Sequence, residues 1–274
     1  MRKHRVVILP GKMNQRMVRS EQHSQQVWED FWEKQSIEQV YQNSDRIVEQ
    51  ITKAGDVAGK WIMEIGAGSG RDSFKLAEMG ARIILLDYAK NSLQLMQQIS
   101  EKLDQKVDLV RGDAFHLPFK ENSIDVIFHQ GLLEHFTEPD GIVQQSFHAL
   151  KVGGINVSDV PQKYHMYTAV KHILIWMKKW FAGWETEFSI GQLRSMHKRA
   201  GFDIYAVYGD WMRPSFVYRA SREALKKIGL TLPQYPKSIP FFSKIRNALR
   251  QFFITKKIAL YTFMDIGVVG IKRK

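Results

Sequence analysis

Three glycines that alternate after a short apolar run form the most chemically specific pattern in the sequence. The run Trp61–Ile65 is followed by Gly66, Gly68 and Gly70, and the acidic residue Asp87 lies further along the chain. Glycine accepts positive φ angles and lets backbone approach a ligand that a Cβ would push away. An acid about 20 residues on, at the end of the next strand, can accept both hydroxyls of a ribose. The pattern therefore predicts a binding site for a nucleoside cofactor.

The spacing and charge of this loop narrow the choice of ligand. A dinucleotide site follows G-x-G-x-x-G, but the sixth position of this motif is held by Arg71. Glu64 stands two residues before Gly66, and a carboxylate at that place would repel a pyrophosphate and attract a cation. A nicotinamide-dependent oxidoreductase is therefore the least favoured of the enzyme classes that such a loop suggests.

The segments that follow contain further motifs in a fixed order. The phrases GDAFHLPFKENSIDVI, LLEHF and LKVGG come after the E-x-G-x-G-x-G loop, each beside a predicted strand. Together they resemble class I S-adenosylmethionine-dependent methyltransferases, in particular the family that includes the ubiquinone and menaquinone methyltransferases. The resemblance covers residues 61–159 well and continues loosely through 188–202.

This resemblance implies an α/β fold with a Rossmann-like, seven-stranded, mostly parallel sheet. The strand order would be 3-2-1-4-5-7-6, the last strand would be antiparallel, and helical insertions would interrupt the core. The expected organisation is a basic arm with N-terminal cap helices at 1–54, a methyltransferase core at 55–210 with an insertion at 162–186, a basic amphipathic insertion or lid at 211–264, and the final core strand at 265–274.

The same resemblance implies S-adenosylmethionine as the cofactor. Asp87 would take the ribose hydroxyls and Asp113 would accept from the adenine amino group. A turn carboxylate is the alternative for Asp113, because Gly112-Asp113 is typical turn chemistry. The full set of cofactor-binding residues that the resemblance implies is Glu64, Gly66, Ala67, Gly68, Gly70, Asp87, Tyr88, Asp113, Ala114, Gln130 and Gly131.

Methyl transfer is an in-line displacement in which the cofactor carries the activation and the protein supplies alignment. A neutral acceptor also needs a base to take its proton. The catalytic candidates are His135 in the LLEHF phrase, and Asp159 and His165, which follow the fifth core strand. The alternative for His135 is a structural hydrogen-bonding role, and His129 is expected to be either a base or a packed strand residue. No metal site is predicted.

Two element boundaries are also predicted from the pattern. Residues 27–41 are expected to form one or two cap helices, and Asn91 is expected to cap a helix that runs to about Leu103. Within the first insertion, apolar residues at helical spacing predict a helix over 169–181 with Lys171 alongside its apolar stripe.

The composition of the chain excludes several kinds of site and indicates where its positive charge lies. The chain has 274 residues, no cysteine and a formal net charge of +12. The absence of cysteine excludes disulfides, thiolate metal sites, iron–sulfur clusters and cysteine nucleophiles. Residues 1–20 hold six Lys/Arg and no Asp/Glu, and residues 219–274 hold thirteen against two. The basic ends suit an anionic bilayer, a nucleic acid or an acidic substrate, or serve solubility alone.

The acceptor is predicted only by class. Residues 129–132 read His-Gln-Gly-Leu where amino-methylating nucleic-acid enzymes carry [DN]-P-P-[YF], and this favours a small or amphiphilic metabolite with an oxygen or carbon acceptor. The alternatives are an RNA-directed methyltransferase or accessory subunit and a catalytically inactive cofactor-binding module. A cytoplasmic protein is expected, since 1–19 lacks a continuous apolar run. Peripheral membrane contact through the basic amphipathic segment 241–254 is an added hypothesis.

Overall fold

A sheet of parallel strands with one reversed strand forms the centre of the protein. The computed structural model describes residues 6–8, 18–34, 45–179, 185–211, 214–233, 236, 240–254 and 256–274. The strands in this part of the chain are β1 (Val6–Ile8), β2 (Trp61–Ile65), β3 (Arg82–Asp87), β4 (Val107–Arg111), β5 (Ile124–Gln130), β6 (Leu150–Pro161), β7 (Asp203–Asp210) and β8 (Asp265–Ile271).

Helices cover the sheet and build the insertions. They are α1 (Val18–Glu33), α2 (Arg46–Ala54), α3 (Arg71–Glu78), α4 (Lys90–Leu103), α5 (Asp140–Ala149), α6 (Met166–Trp176), α7 (Ile190–Ala200), α8 (Phe216–Lys226) and α9 (Pro240–Ile254). Short 3₁₀ helices lie at Leu133–His135 and Lys257–Tyr261.

The strand order confirms the predicted topology and adds one strand to it. The order is β1-β4-β3-β2-β5-β6-β8-β7, in which β8 runs antiparallel to β6 and β7. Without β1, the remaining seven strands, β4-β3-β2-β5-β6-β8-β7, form the predicted 3-2-1-4-5-7-6 arrangement. The addition is β1, which pairs parallel to β4 with Val6 opposite Leu109. The segment 1–20 was expected to be only a basic arm, but its Val6–Ile8 run is apolar and extends the sheet edge; residues 1–5 and 9–17 lie outside the described residues.

The central strands are buried on both faces. Ile62, Leu85 and Val126 belong to the apolar cluster on one side of the sheet, whereas Met63 and Ile127 belong to the cluster on the other. A parallel sheet that helices cover on both sides requires nearly continuous apolar strands. This explains why apolar residues dominate β2, β3 and β5, in which polar residues such as Glu64 and Asp125 are isolated.

The carboxyl ends of the parallel strands meet at one edge, and both insertions start there. The first insertion follows the end of β6 at Pro161. The second connects the end of β7 to the start of β8, where Asp265 lies opposite both Pro161 and Asp210. Ligands of open α/β sheets bind outside the carboxyl ends of the strands. The insertions therefore stand beside the edge at which a ligand would bind.

The helix of the first insertion differs from the prediction in its end and in the burial of one lysine. This helix, α6, ends at Trp176 and not near 181, and residues 180–184 lie outside the described part of the chain. Lys171 is buried, whereas Ile173 and Trp176 are exposed. The physical reason is that the Lys171 Nζ lies 2.7 Å from a Glu185 carboxylate oxygen, and buried charges must be paired.

Candidate active site

The alternating glycines form the turn between β2 and α3. The φ angles of Gly66, Gly68 and Gly70 are 64°, 56° and 64°, all in the left-handed region that glycine adopts without strain. The Gly70 amide donates to the Ala67 carbonyl oxygen at 2.7 Å and closes the turn before α3 begins at Arg71. The free amides of the first turn of α3 therefore lie at the carboxyl edge of the sheet, next to the glycine loop.

Asp87 holds this loop from the end of the neighbouring strand. Its carboxylate accepts the Gly68 amide at 2.8 Å through Oδ2 and the Ala89 amide at 2.9 Å through Oδ1. The Ser92 hydroxyl donates to the Gly68 carbonyl oxygen at 2.7 Å from α4. Burial raises the pKa of Asp87, and these backbone hydrogen bonds oppose the rise. Asp87 therefore fixes the position of Gly68 from the end of β3.

Glu64 is a buried acid directly behind the loop. Its carboxylate accepts the Ser73 hydroxyl at 2.6 Å, and its side chain is almost completely enclosed. Burial raises the pKa of Glu64 to about 8, and the charge of Asp72 adds to that rise, while the Ser73 hydrogen bond and Arg71 oppose it. A cation bound next to such a buried acid lowers its pKa and stabilises its ionised form.

Polar contacts connect α3 to the end of β5. The Arg71 guanidinium pairs with Asp72 at 2.8 Å and donates to the Gln130 side-chain oxygen at 3.3 Å. Gly131 has a φ of 64°, and its amide donates to the Asp159 carbonyl oxygen at 2.9 Å. The structure thus brings Gln130 and Gly131 to the same edge as the glycine loop.

Asp113 forms a turn at the end of β4. It accepts the Phe115 amide at 2.9 Å, and its other oxygen lies 2.8 Å from His116 Nδ1. Ala114 is buried beside it. The turn geometry that was the alternative for Asp113 is present, and its predicted contact with an adenine amino group stays a prediction.

Helix α1 docks on the core through Glu29. The Glu29 carboxylate accepts the backbone amides of Lys90 and Asn91 at 2.8 and 2.9 Å, at the first turn of α4. The sequence predicted that Asn91 itself caps this helix, but α4 begins at Lys90 and the cap comes from another helix. A distant carboxylate at a helix start satisfies free amides and interacts favourably with the helix dipole.

Aromatic side chains of α1 lie over the loop and the LLEHF turn. A Cβ built on Gly68 would lie 2.5 Å from Trp32 Cζ2, so glycine at this position admits the indole ring. The Trp28 ring packs edge-on against His135 with centroids 4.9 Å apart. Tyr88 is partly exposed, and the Arg111 guanidinium lies 6.0 Å from its ring centroid. Helix α1 therefore covers the mouth of the candidate site.

Replacement of Glu29 tests this docking. Glu29→Ala is expected to lower the free energy of unfolding by about 1 kcal/mol, since α4 loses its capping carboxylate. Hydrogen exchange of the Lys90 and Asn91 amides should accelerate in this variant. The matched control is Glu33→Ala, at an exposed position on the same helix, which should leave both measurements unchanged. Equal exchange rates in the two variants would contradict the proposed cap.

A sequence model of one protein family matches this part of the chain. The family is described as a methyltransferase domain, and the match spans residues 56–201, more than half of the chain. The chain belongs to this family. The resemblance to class I S-adenosylmethionine-dependent methyltransferases is thereby confirmed at the level of the family, whose cofactor is S-adenosylmethionine.

Known methyltransferases match the chain over part of their length. A demethylmenaquinone methyltransferase from Clavibacter sepedonicus is 32% identical over 98 residues, which are 36% of this chain and 40% of that protein. A ubiquinone biosynthesis O-methyltransferase from Cupriavidus pinatubonensis is 26% identical over 174 residues, 61% of this chain and 70% of that protein. The chain spans less than half the length of several of the curated relatives it matches.

Solved structures support the fold of this methyltransferase family member. A SAM-dependent methyltransferase from Thermotoga maritima superposes with a TM-score of 0.58 at 16% identity, covering 91% of this chain and all of that one. At this identity the likeness concerns the fold alone. No helix in the described part of the chain combines the length and the apolar character that crossing a bilayer requires.

One of the predicted catalytic residues of this methyltransferase domain is held by a buried cation. The Asp159 carboxylate accepts two hydrogen bonds from Arg46, at 2.7 and 2.9 Å, and is 1% exposed. Asp265 lies 3.2 Å from the same guanidinium. Abstraction of a proton by Asp159 would require this ion pair to open. The geometry favours a positioning role, and catalysis by Asp159 stays a prediction.

The predicted histidines have different surroundings. His165 caps α6, because its Nδ1 accepts the Tyr167 amide at 3.1 Å. Burial lowers the pKa of His135 and keeps its ring neutral against Trp28. His129 is a packed strand residue, since its Nε2 lies 2.8 Å from the Ser158 hydroxyl and burial lowers its pKa to about 3. Of the three, His135 lies closest to the covered mouth formed by α1.

Sequence reasoning missed two buried cations near the site. Arg46 stands in the apolar face of α2 beside Ile47 and Val48, and a charge at such a position is a signal that a buried partner exists. Lys171 was predicted only to lie alongside the apolar stripe of its helix, and its acidic partners lie 14 or more residues away in the sequence. No local pattern connects Lys171 with Glu185, so only the folded insertion could reveal this pair.

Proposed function

We propose that this chain transfers a methyl group from S-adenosylmethionine to a small or amphiphilic metabolite, at an oxygen or carbon atom. The observation that carries the proposal is the buried Glu64 beside a glycine loop that ends at a helix start. Burial raises the pKa of Glu64 to about 8, so a nearby cation would favour its ionised form. S-adenosylmethionine is a cation and would stabilise the ionised form of Glu64, whereas a pyrophosphate-containing cofactor would gain nothing from the protonated carboxyl and would be repelled by the ionised one.

The residues at the strand ends fit this cofactor. Glu64 would face its positive groups, the backbone of the turn at Gly66, Gly68 and Gly70 would line the cofactor, and Asp87 would accept the ribose hydroxyls. When bound, S-adenosylmethionine supplies a methyl group on a sulfonium, which needs no further activation. The other residues that we assign to its binding are Ala67, Tyr88, Asp113, Ala114, Gln130 and Gly131.

The protein supplies alignment and a site from which water is excluded. Trp28 and Trp32 of α1 cover the mouth, and the Lys171–Glu185 pair anchors the first insertion beside the turn at 133–135. We assign to His135 the role of receiving the acceptor proton, because it lies under Trp28 with a lowered pKa and is therefore a neutral imidazole. Asp159 and His165 are assigned positioning roles through Arg46 and α6.

The class of acceptor is inferred from the surroundings of the site. Two insertions rich in exposed apolar side chains start at the edge that carries the glycine loop. Relatives named as a demethylmenaquinone methyltransferase and a ubiquinone biosynthesis O-methyltransferase support an acceptor of this kind. A quinone precursor or another metabolite with an apolar tail therefore fits better than a polar one.

The decisive experiment is methyl transfer from S-adenosylmethionine labelled on its methyl group. Apolar phenols and quinols should become labelled, whereas total RNA under the same conditions should not. A His135→Ala variant that still binds the cofactor should lose most of this label. Labelling of RNA alone would replace the proposal by the RNA-directed alternative, and cofactor binding without transfer to either class would favour an inactive binding module.

Asp87 offers a direct test of the cofactor assignment. Asp87→Ala should weaken the binding of S-adenosylmethionine by more than about tenfold, on the order of 1.4 kcal/mol, because charge-assisted hydrogen bonds are lost. Calorimetric titration measures this change. Asp56→Ala is the matched control, because Asp56 also accepts a backbone amide in a turn but lies outside the site. Unchanged affinity in the Asp87 variant would refute our placement of the ribose.

A further inference from the structure

The second insertion presents an apolar stripe to solvent. Ile245, Leu249 and Phe253 of α9 follow one another at four-residue spacing and are 46%, 54% and 46% exposed. Phe241 and Phe252 are more than half exposed as well. Residues that are three or four positions apart share one face of an α-helix. One side of α9 is therefore an accessible apolar surface, which we call the α9 stripe.

Basic residues border the α9 stripe. Lys244 and Arg246 are exposed and lie on either side of Ile245, and at 3.6 residues per turn this places them at the two margins of the stripe. Residues 224–264 contain eight Lys/Arg and no Asp/Glu. An apolar face between cations is the arrangement of a helix that lies in the interface of an anionic bilayer.

The base of the second insertion is fixed to the edge of the sheet at which the site lies. The Gln162 side chain, which follows β6, donates to the Leu260 carbonyl oxygen at 3.1 Å. Phe263 is buried and packs edge-on against Trp211, with centroids 4.6 Å apart. The segment that follows α9 is thus joined to the ends of β6 and β7. A surface that binds α9 would be held near the mouth of the site.

We propose that the α9 stripe docks on the surface of an anionic lipid bilayer. The role of this docking rests on the proposed function, because it would bring the site to an acceptor dissolved in the bilayer. Charge favours this partner over a second copy of the chain, because the basic margins of two copies would repel each other. Aliphatic Ile245 and Leu249 at the centre of the stripe favour lipid over nucleic acid, which binds through phosphate contacts and aromatic stacking.

Co-sedimentation of the full chain with vesicles tests the proposal. The chain should bind vesicles of phosphatidylcholine with phosphatidylglycerol, and it should bind pure phosphatidylcholine much less. The triple variant Ile245→Ser, Leu249→Ser, Phe253→Ser should lose about tenfold or more of this binding. The matched control is Asn247→Ser, Gln251→Ser, which places serine at exposed positions on the other side of α9 and should bind like the unaltered chain.

The charged margin supplies a second readout. Lys244→Gln, Arg246→Gln should reduce binding to the anionic vesicles and remove part of its salt dependence. Each variant is checked for unchanged affinity for S-adenosylmethionine, which shows that the core is folded. Equal vesicle binding by the triple variant and its control would overturn the proposal. The proposal would also be overturned if the unaltered chain did not bind vesicles and the triple variant changed only its oligomeric state or its retention of RNA.

The vesicle assay contains neither cofactor nor acceptor, so it separates this inference from the proposed function. Vesicle binding without methyl transfer to any metabolite would support the membrane surface and refute the enzymatic proposal. Methyl transfer to an apolar acceptor by a chain that ignores anionic vesicles would do the reverse.

Discussion

Arg46→Met is expected to lower the free energy of unfolding by about 3 to 5 kcal/mol, the range for removal of one partner from a buried ion pair. Arg46 is buried and pairs with two carboxylates, Asp159 at 2.7 Å and Asp265 at 3.2 Å. Although burial opposes its charge, these two carboxylates raise the pKa of Arg46 above its ordinary value. The variant leaves the buried Asp159 and the mostly buried Asp265 without the positive charge of Arg46.

Urea unfolding of matched variants measures this effect. The control is Arg199→Met, because Arg199 also pairs closely with an acid, Asp140, at 2.6 Å, but the two side chains are 57% and 39% exposed. That exposed pair should contribute less than about 1 kcal/mol. Adding Asp159→Asn to Arg46→Met should restore part of the lost stability. A loss in Arg46→Met no larger than that of the control would show that the buried cluster contributes little to stability.

Glu64→Gln is expected to stabilise the unliganded protein and to impair cofactor binding. The pKa of Glu64 is about 8 in the folded protein, above its ordinary value of 4.5, mainly because of burial. The folded state therefore holds this proton more tightly than the unfolded state does. The stabilisation that the protonated Glu64 gives to the folded state is fully present below pH 4.5 and is lost as the pH rises through about 8. Glutamine does not ionise and escapes that loss.

The stability difference between Glu64→Gln and the unaltered chain should therefore grow with pH. It should be small at pH 4 and reach roughly 2 to 4 kcal/mol near pH 7. Affinity for S-adenosylmethionine should fall at least about tenfold, since the variant lacks the charge that a cation needs. Glu78→Gln, at an exposed position on α3, should change neither quantity. A variant with wild-type affinity would remove the argument that Glu64 selects a cationic cofactor.

The same pKa predicts a proton release. Near pH 7 most Glu64 side chains are protonated without ligand, and a bound cation should ionise them. Calorimetry in buffers of different ionisation enthalpy should therefore detect protons released on binding by the unaltered chain. The release should disappear in Glu64→Gln.

The core of the fold was predictable because its signals are local. Short, mostly apolar strands such as β2 and β5, and the positive-φ positions Gly66 and Gly68, follow from short stretches of sequence that admit few conformations. The strand order followed from the family resemblance. Local patterns with one dominant interpretation therefore gave the sheet and the loop.

The parts that sequence reasoning missed depend on distant partners. The cap of α4 comes from Glu29, some 60 residues earlier, so Asn91 was wrongly chosen as the cap. Lys171 is buried because it pairs with Glu185, which lies 14 residues further along the sequence. Strand β1 is three residues long and gains its identity only by pairing with β4. These contacts depend on tertiary structure, which propensity and periodicity do not encode.

Calorimetric titration of the purified chain with S-adenosylmethionine, with NAD as the control ligand, tests most directly whether the site selects a cationic cofactor. We expect S-adenosylmethionine to bind with micromolar affinity and to release protons near neutral pH, and we expect no binding of NAD. Binding of NAD and not of S-adenosylmethionine would contradict this expectation, because the buried acid behind the glycine loop would then not be selecting a cationic cofactor.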